Sequence, residues 1–291
     1  MLPYVWLSLA IVCLWLPPQV SASRLTSRAG VSAGLLLLAV AHASWTGVVT
    51  PIGILAILAF GLLCYGYSRV RCHPFLDALV TIATIVFSLA LMAHVVPGFS
   101  NVLIARDVVL SPDAVPYTLF LNFDKAQIGL FLLAFGPPLI ASRADWVAML
   151  TAALPRLGLL IGIVMVCAFS IGQVRFDSKW PAFFPIWVSA NLLFTCAAEE
   201  ALFRGVIQRR LQGPSMGSGA TPREIAGLLI ASVLFGVAHF AGGGSAIVLA
   251  TISGIGYGWI YWRTNRIEGS ILAHFLLNTT HILFFTYPAL Q

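Results

Sequence analysis

The sequence has 291 residues, of which 59% are hydrophobic and 9% charged, with a net charge of +6 and a mean hydropathy of +0.95. Soluble globular domains carry roughly 25% charged residues, so a soluble fold is excluded. The apolar runs are continuous in Leu, Ile, Ala and Val instead of alternating with polar residues, which argues against a closed barrel. The sixteen Lys and Arg residues are scattered through short connections and form no basic face, so the bilayer is the expected partner and nucleic acid is not.

A spanning helix needs about 20 mostly apolar residues, and the chain holds enough such runs for about 8–10 of them. The expected fold class is therefore all-α, a polytopic membrane helical bundle. The first run, 2–16, is followed by the small-residue stretch Val20-Ser21-Ala22-Ser23, which has the look of a cleavage site. No basic residue precedes the apolar core, and Pro17-Pro18 stands between it and that stretch, so a first spanning helix is expected in place of a cleaved signal. Further runs at 30–46, 49–67 and 75–96 read as plain spans. His42 and His94 fall within the second and fourth runs, and for a lone intramembrane histidine an interhelical hydrogen bond is the expected role.

Residues 97–125 form the most polar long stretch, with Asn101, Arg106, Asp107, Asp113, Asn122, Asp124 and Lys125, and read as an extramembrane loop with a short interfacial helix. Apolar runs resume at 126–141, at 146–172 with a break expected at Pro155, and at 182–211, 225–241, 244–262 and 267–286. Arg209, Arg210 and Arg223, and then Arg263 and Arg266, mark two connections as cytoplasmic by the positive-inside tendency, whereas the turn Ala241-Gly242-Gly243-Gly244 carries no charge. The five cysteines include no CxxC pair, and all but Cys72 lie in apolar runs, where cysteine behaves as a small hydrophobe.

The chemistry is concentrated in three of the later runs. Glu199 and Glu200, two of only four glutamates in the chain, stand side by side in an apolar run. Charged side chains at the bilayer centre cost about 2.5–3.5 kcal/mol on insertion scales, so intramembrane acids are functional-site candidates whose partners must be named. Glu200 has a partner one helical turn on, in Arg204. Glu199 points elsewhere around the helix and has no basic residue three or four positions away. It is expected to stand unpaired, with the raised basicity that suits a general base.

The next run ends in Phe235-Gly-Val-Ala-His239 and the last contains His274-Phe-Leu-Leu-Asn278. The spacing of four puts His274 and Asn278 on one face as donors suited to a developing oxyanion. The glycines after His239 allow a close backbone approach or a mobile turn. Taken singly, each histidine reads as a packed core residue; three of the last four apolar segments with such groups read as a site. His281, seven residues after His274, is expected to be incidental or to lie behind it.

These residues resemble the three motifs of the CPBP family, the glutamic-type intramembrane proteases that include the type II CAAX prenyl endopeptidases and their bacterial relatives. The resemblance rests on Glu199-Glu200-x-x-x-Arg204, Phe235-x-x-x-His239 and His274-x-x-x-Asn278, with the flanking text Phe203-Arg204-Gly205, Leu234 to His239 and Gly254 to Tyr261, and it covers about residues 182–285. It implies a catalytic core at 182–285 behind N-terminal transmembrane helices at 1–181. It implies Glu199 and His239 as the water-activating pair, His274 and Asn278 as the oxyanion hole, and Glu200, Arg204 and Phe235 as supports. It further implies a membrane protein or a lipidated or C-terminally anchored peptide as substrate, and a multi-pass location in the inner membrane of a bacterium. Ser111 to Tyr117 and Asn122 to Lys125 also resemble a bacterial subgroup tied to JDVT-CTERM sorting tags.

Metal-independent water activation is the expectation, because no HExxH helix is present. Were a divalent metal such as Zn²⁺ bound, its donors would be Glu199, His239 and His274. Two other classes stay open on sequence grounds. A proton-coupled transporter would use similar Glu and His chains, and a non-catalytic immunity or scaffold protein would use the same fold.

Overall fold

A computed structural model describes residues 1–16, 27–70, 73–213 and 221–291. The stretch 20–23, considered above as a cleavage site, lies outside the described residues, as do Arg24, Arg71 and Cys72. In chain order the elements are α1 (Leu2–Val12), α2 (Arg28–Trp45), α3 (Pro51–Arg69), α4 (Pro74–Met92), β1 (Val102–Val108), β2 (Tyr117–Leu121), α5 (Phe123–Phe135), α6 (Arg143–Ser170), α7 (Phe184–Gln212), α8 (Pro222–Val237), α9 (Gly243–Thr264) and α10 (Ile267–Phe284). Among the described residues six of these, α2, α3, α4, α6, α7 and the stretch Phe240–Thr264 around α9, are long and apolar enough to cross a bilayer. The protein is a multi-pass helical membrane protein. Leu37, Leu62 and Val166, at 71%, 71% and 65% exposure, are then lipid-facing, and need no protein partner.

Helix starts follow local chemistry. Proline occupies the first turn of α1, α3, α4 and α8, where its missing N–H is not needed. Thr221 and Glu224 close a reciprocal capping box on α8, satisfying two of the orphan donors at that end. Two expectations fail here. Helix α6 runs unbroken through Pro155, which a membrane helix tolerates when neighbouring groups take up the freed carbonyls. The expected interfacial helix in 97–125 is instead the two-stranded sheet β1-β2. Its strands, Val102-Leu-Ile-Ala-Arg-Asp-Val108 and Tyr117-Thr-Leu-Phe-Leu121, carry the β-branched and aromatic residues that suit a pleated surface.

The chain divides into two compact units. The first comprises Met1–Val102, Leu121–Arg143 and Leu193–Val206. Within it Trp6 Nε1 donates to His42 Nδ1 at 2.9 Å and the Ser32 hydroxyl donates to the Ala10 carbonyl at 2.8 Å, joining α1 to α2. His42 is thus an interhelical hydrogen-bonding residue, as expected, whereas His94 lies in the turn after α4, outside any helix, with its Nδ1 2.8 Å from Asp124 Oδ2. Phe60 packs edge-on against Phe87 and Phe131, with ring centres 5.3 and 6.0 Å away. A methyl group at Gly61 would come within 2.9 Å of the Phe131 ring, so glycine sets the approach of α3 to α5.

The second unit comprises Leu103–Phe120, Ala144–Leu192 and Ile207–Gln291. Helices α8 and α9 pack so closely that a Cβ at Gly236 would overlap Thr251 Oγ1 and lie 2.8 Å from the Ile247 carbonyl oxygen. Gly236→Ala should therefore lower thermal stability by about 1–3 kcal/mol, the usual cost of overpacking, as a drop in the melting temperature of the detergent-solubilised protein. Unchanged melting would show that α9 can shift to make room.

Residues 285–291 run extended between two other segments of this unit. Thr286 N and Leu290 N donate to the carbonyls of Arg175 and Gln173 at 2.8 and 2.9 Å, while Val115 N donates to Ala289 O at 2.9 Å. Beside them Asp177 is held below the ordinary aspartate pKa by the Ser111 hydroxyl first and Lys179 second, against an opposing contribution from burial. A depressed folded-state pKa gives stability that is present above the unfolded value and is lost as pH falls through the folded one. Asp177→Asn should thus destabilise at pH 7, by no more than about 1 kcal/mol at this partly exposed site. The gap to wild type should close in acid; a pH-independent gap in melting temperature would contradict the assignment.

Candidate active site

The carboxylates lie in α7, whose backbone is unusual. Ala190–Cys196 and Ala201–Gln208 are π-helical, and the single α-helical turn Ala197–Glu200 between them carries both glutamates. Wide turns inside helices cluster at functional positions because they re-aim side chains that a regular repeat would fix elsewhere. Glu200 and Arg204, both fully buried, pair at 3.2 Å between Oε2 and Nε. Removing one partner of such a pair strands a buried charge, so this pair is structural in character. Gly205 lies against Pro137, with a Cβ there 3.5 Å from the proline ring.

Glu199 overturns one expectation. It is not unpaired: Lys125 Nζ, from the first turn of α5, donates to Glu199 Oε1 at 2.7 Å. The two residues are 74 positions apart, outside the reach of any helical spacing rule. The available signal was composition, since Lys125 is one of only two lysines in the chain and sits at the head of an apolar run. Glu199 is 6% exposed, so both charges are largely withdrawn from water and each supplies the other's counter-charge.

The second unit holds the remaining candidates around a cavity of about 540 Å³ lined by Phe235, His239, Tyr257, His274, Asn278 and His281 among others. His239 follows the last turn of α8, and its Nδ1 lies 2.8 Å from the Phe235 carbonyl oxygen. A carbonyl only accepts, so Nδ1 carries the proton, and in the neutral ring Nε2 is the acceptor. Phe235 packs against both histidines, with ring centres 4.7 Å from His239 and 5.6 Å from His274. Tyr257 stacks on His274 at 4.7 Å with 17° between the planes, which fixes the imidazole's orientation by contact on its flat face.

Asn278 Nδ2 donates to Asn191 Oδ1 at 3.4 Å, a contact that the motif spacing does not disclose. His281 serves the extended segment instead: its Nε2 donates to the Thr286 carbonyl at 3.1 Å and its ring packs on Tyr287. Thus His239, His274 and Asn278 line one cavity in the second unit, and Glu199, Glu200 and Arg204 stand together on α7 in the first. Asn191 was missed because an amide in a helical run looks like an ordinary packing residue; Tyr257 lies within the matched text Gly254 to Tyr261, but nothing in the spacing gave it a role.

A metal ion fits the first unit's carboxylate poorly. The position beside Glu199 Oε1 that a cation would take is held by the Lys125 ammonium, and within each unit no three described His, Cys, Asp or Glu side chains converge on one point.

The fold and these residues define a multi-pass membrane protein that carries acids in the apolar helices of its first unit and histidines and amides around a cavity in its second. Residues 178–280 match the family model described as Rce1-like, the Type II CAAX prenyl endopeptidase Rce1-like family. In this stretch, which holds Glu199, Glu200, Arg204, Phe235, His239, His274 and Asn278, the chain is similar to that family of proteases. No curated protein and no solved structure matches the chain.

Proposed function

We propose that the protein is an intramembrane endopeptidase of a bacterial inner membrane, which hydrolyses a peptide bond in or near a membrane-associated C-terminal segment of a protein substrate. The observation that supports this most is the convergence of His239, His274 and Asn278 on one cavity, within the residues that match a protease family. Apolar walls around a few polar groups are what a polypeptide segment drawn from lipid requires.

In this reading Glu199 takes a proton from water as the oxygen attacks the scissile carbonyl carbon. The imidazole of His239 helps through Nε2, the nitrogen left as acceptor by the Phe235 carbonyl. The carbonyl π electrons move onto oxygen, and His274 and Asn278 donate hydrogen bonds to that oxyanion. Collapse of the tetrahedral intermediate breaks the C–N bond, and the departing nitrogen takes back the proton that the base removed. No step needs a metal, so incubation with a chelator should leave cleavage unchanged.

The reading is tested in a strain that lacks the protein. A membrane protein with an intact C-terminal segment should accumulate there, and return to its processed form when the wild-type gene is restored. An unaltered membrane proteome would count against a processing role.

A further inference from the structure

We infer that Lys125 is a positioning residue for Glu199, an inference that rests on the proposed role of Glu199 as the base. Three observations in the first unit carry it. The first is the contact itself, 2.7 Å between Lys125 Nζ and Glu199 Oε1, with the two side chains 12% and 8% exposed. A buried carboxylate without a counter-charge is costly, and Lys125 supplies that charge at Oε1.

The second is the anchoring of the lysine's own backbone. The N-cap residue of α5, Asn122, makes no side-chain cap. Its place is taken from a distance: Asn101 Oδ1 accepts from Phe123 N at 2.8 Å, and Asn101 Nδ2 donates to Asp124 Oδ1 at 2.9 Å. The same carboxylate, 1% exposed, accepts from Lys125 N at 2.8 Å and meets His94 Nδ1 at 2.8 Å on its other oxygen. The start of α5 is thus tied to the segment after α4 by a polar array that leaves Lys125 little freedom to move.

The third is the close approach of α5 to the carboxylate turn. Gly129 lies four residues after Lys125 and so on the same face, and a Cβ at that position would come within 3.2 Å of Ala198 N. Backbone contact at Gly129 and an ion pair at Lys125 hold one face of α5 against Ala197–Glu200 at two points a turn apart. Rotation of the Glu199 side chain away from Lys125 would break the pair. The lysine therefore selects one orientation of the carboxylate, and an ion pair that served stability alone would not need this anchoring.

The test uses full-length protein in proteoliposomes, with the precursor that accumulates in cells lacking the protein as probe. Lys125→Met should lower kcat by about 10²-fold, the scale of a misplaced reacting group, and change KM by less than about threefold. Lys125→Arg, which keeps the charge, should recover cleavage to within about tenfold of wild type. Gel filtration and melting show whether each variant is folded, and Lys125→Gln serves if Lys125→Met is not. Wild-type kcat in a folded Lys125→Met or Lys125→Gln protein would overturn the inference, as would equal losses in the Met and Arg variants that follow their melting temperatures. If Glu199→Gln abolishes cleavage and Lys125→Met does not, only this inference falls. Full cleavage by Glu199→Gln would remove the proposed base as well.

Discussion

Glu199→Gln should reduce cleavage of the accumulated precursor by about 10²–10⁴-fold, the range that a general base contributes. The substitution preserves size and removes the ability to take up the proton of water. It also leaves the Lys125 ammonium, 2.7 Å away, without its counter-charge in a buried place, so some loss of stability accompanies the loss of rate. Melting of the purified variant separates the two: a folded, inactive protein fits the base role. A variant that is inactive because it is unfolded would call for Glu199→Asp, which keeps the charge at a changed distance and should retain partial activity.

Removing the oxyanion donors should cost nearly as much. His274→Ala and Asn278→Ala are each expected to lower kcat by about 10²–10³-fold, as loss of one preorganised donor does elsewhere. KM should change little, because the interaction strengthens only when charge develops on the oxygen. The double variant should lose less than the product of the single losses, since the two donors address one atom. His274→Ala has a further consequence: Tyr257 stacks on that imidazole and Phe235 meets its edge, so a void opens among buried aromatics. His274→Gln, which fills more of it, should be the more stable variant and still be slow. A KM increase with unchanged kcat in either single variant would show that the residue binds substrate instead of the oxyanion.

Much of the helical order is written in local pattern. Continuous apolar runs bounded by proline, glycine and arginine mark most helices within a few residues, and Glu200 with Arg204 follows from a spacing of four. The misreadings arise where distant groups decide. The helix passes Pro155 because a bundle in lipid can satisfy freed carbonyls in ways that a local rule does not count. The β1-β2 sheet was hidden because each strand is short and its partner lies across an intervening loop, so neither has a strong pattern by itself. Lys125 joins Glu199 across 74 residues, and its role rests on the Asn101, Asp124 and His94 array, which no motif links to the carboxylates. The π-helical stretches around Ala197–Glu200 are equally silent, because a widened turn is a response to packing and has no composition of its own.

The most direct test of the central claim is cleavage of the accumulated precursor by purified protein in proteoliposomes made up in ¹⁸O-enriched water, with mass spectrometry of the new C-terminus. If Glu199-activated water hydrolyses the peptide bond, wild-type protein will generate a new carboxyl terminus carrying ¹⁸O and the Glu199→Gln protein will generate none. An intact precursor with folded wild-type protein, or labelled product at the wild-type rate with Glu199→Gln, would contradict it.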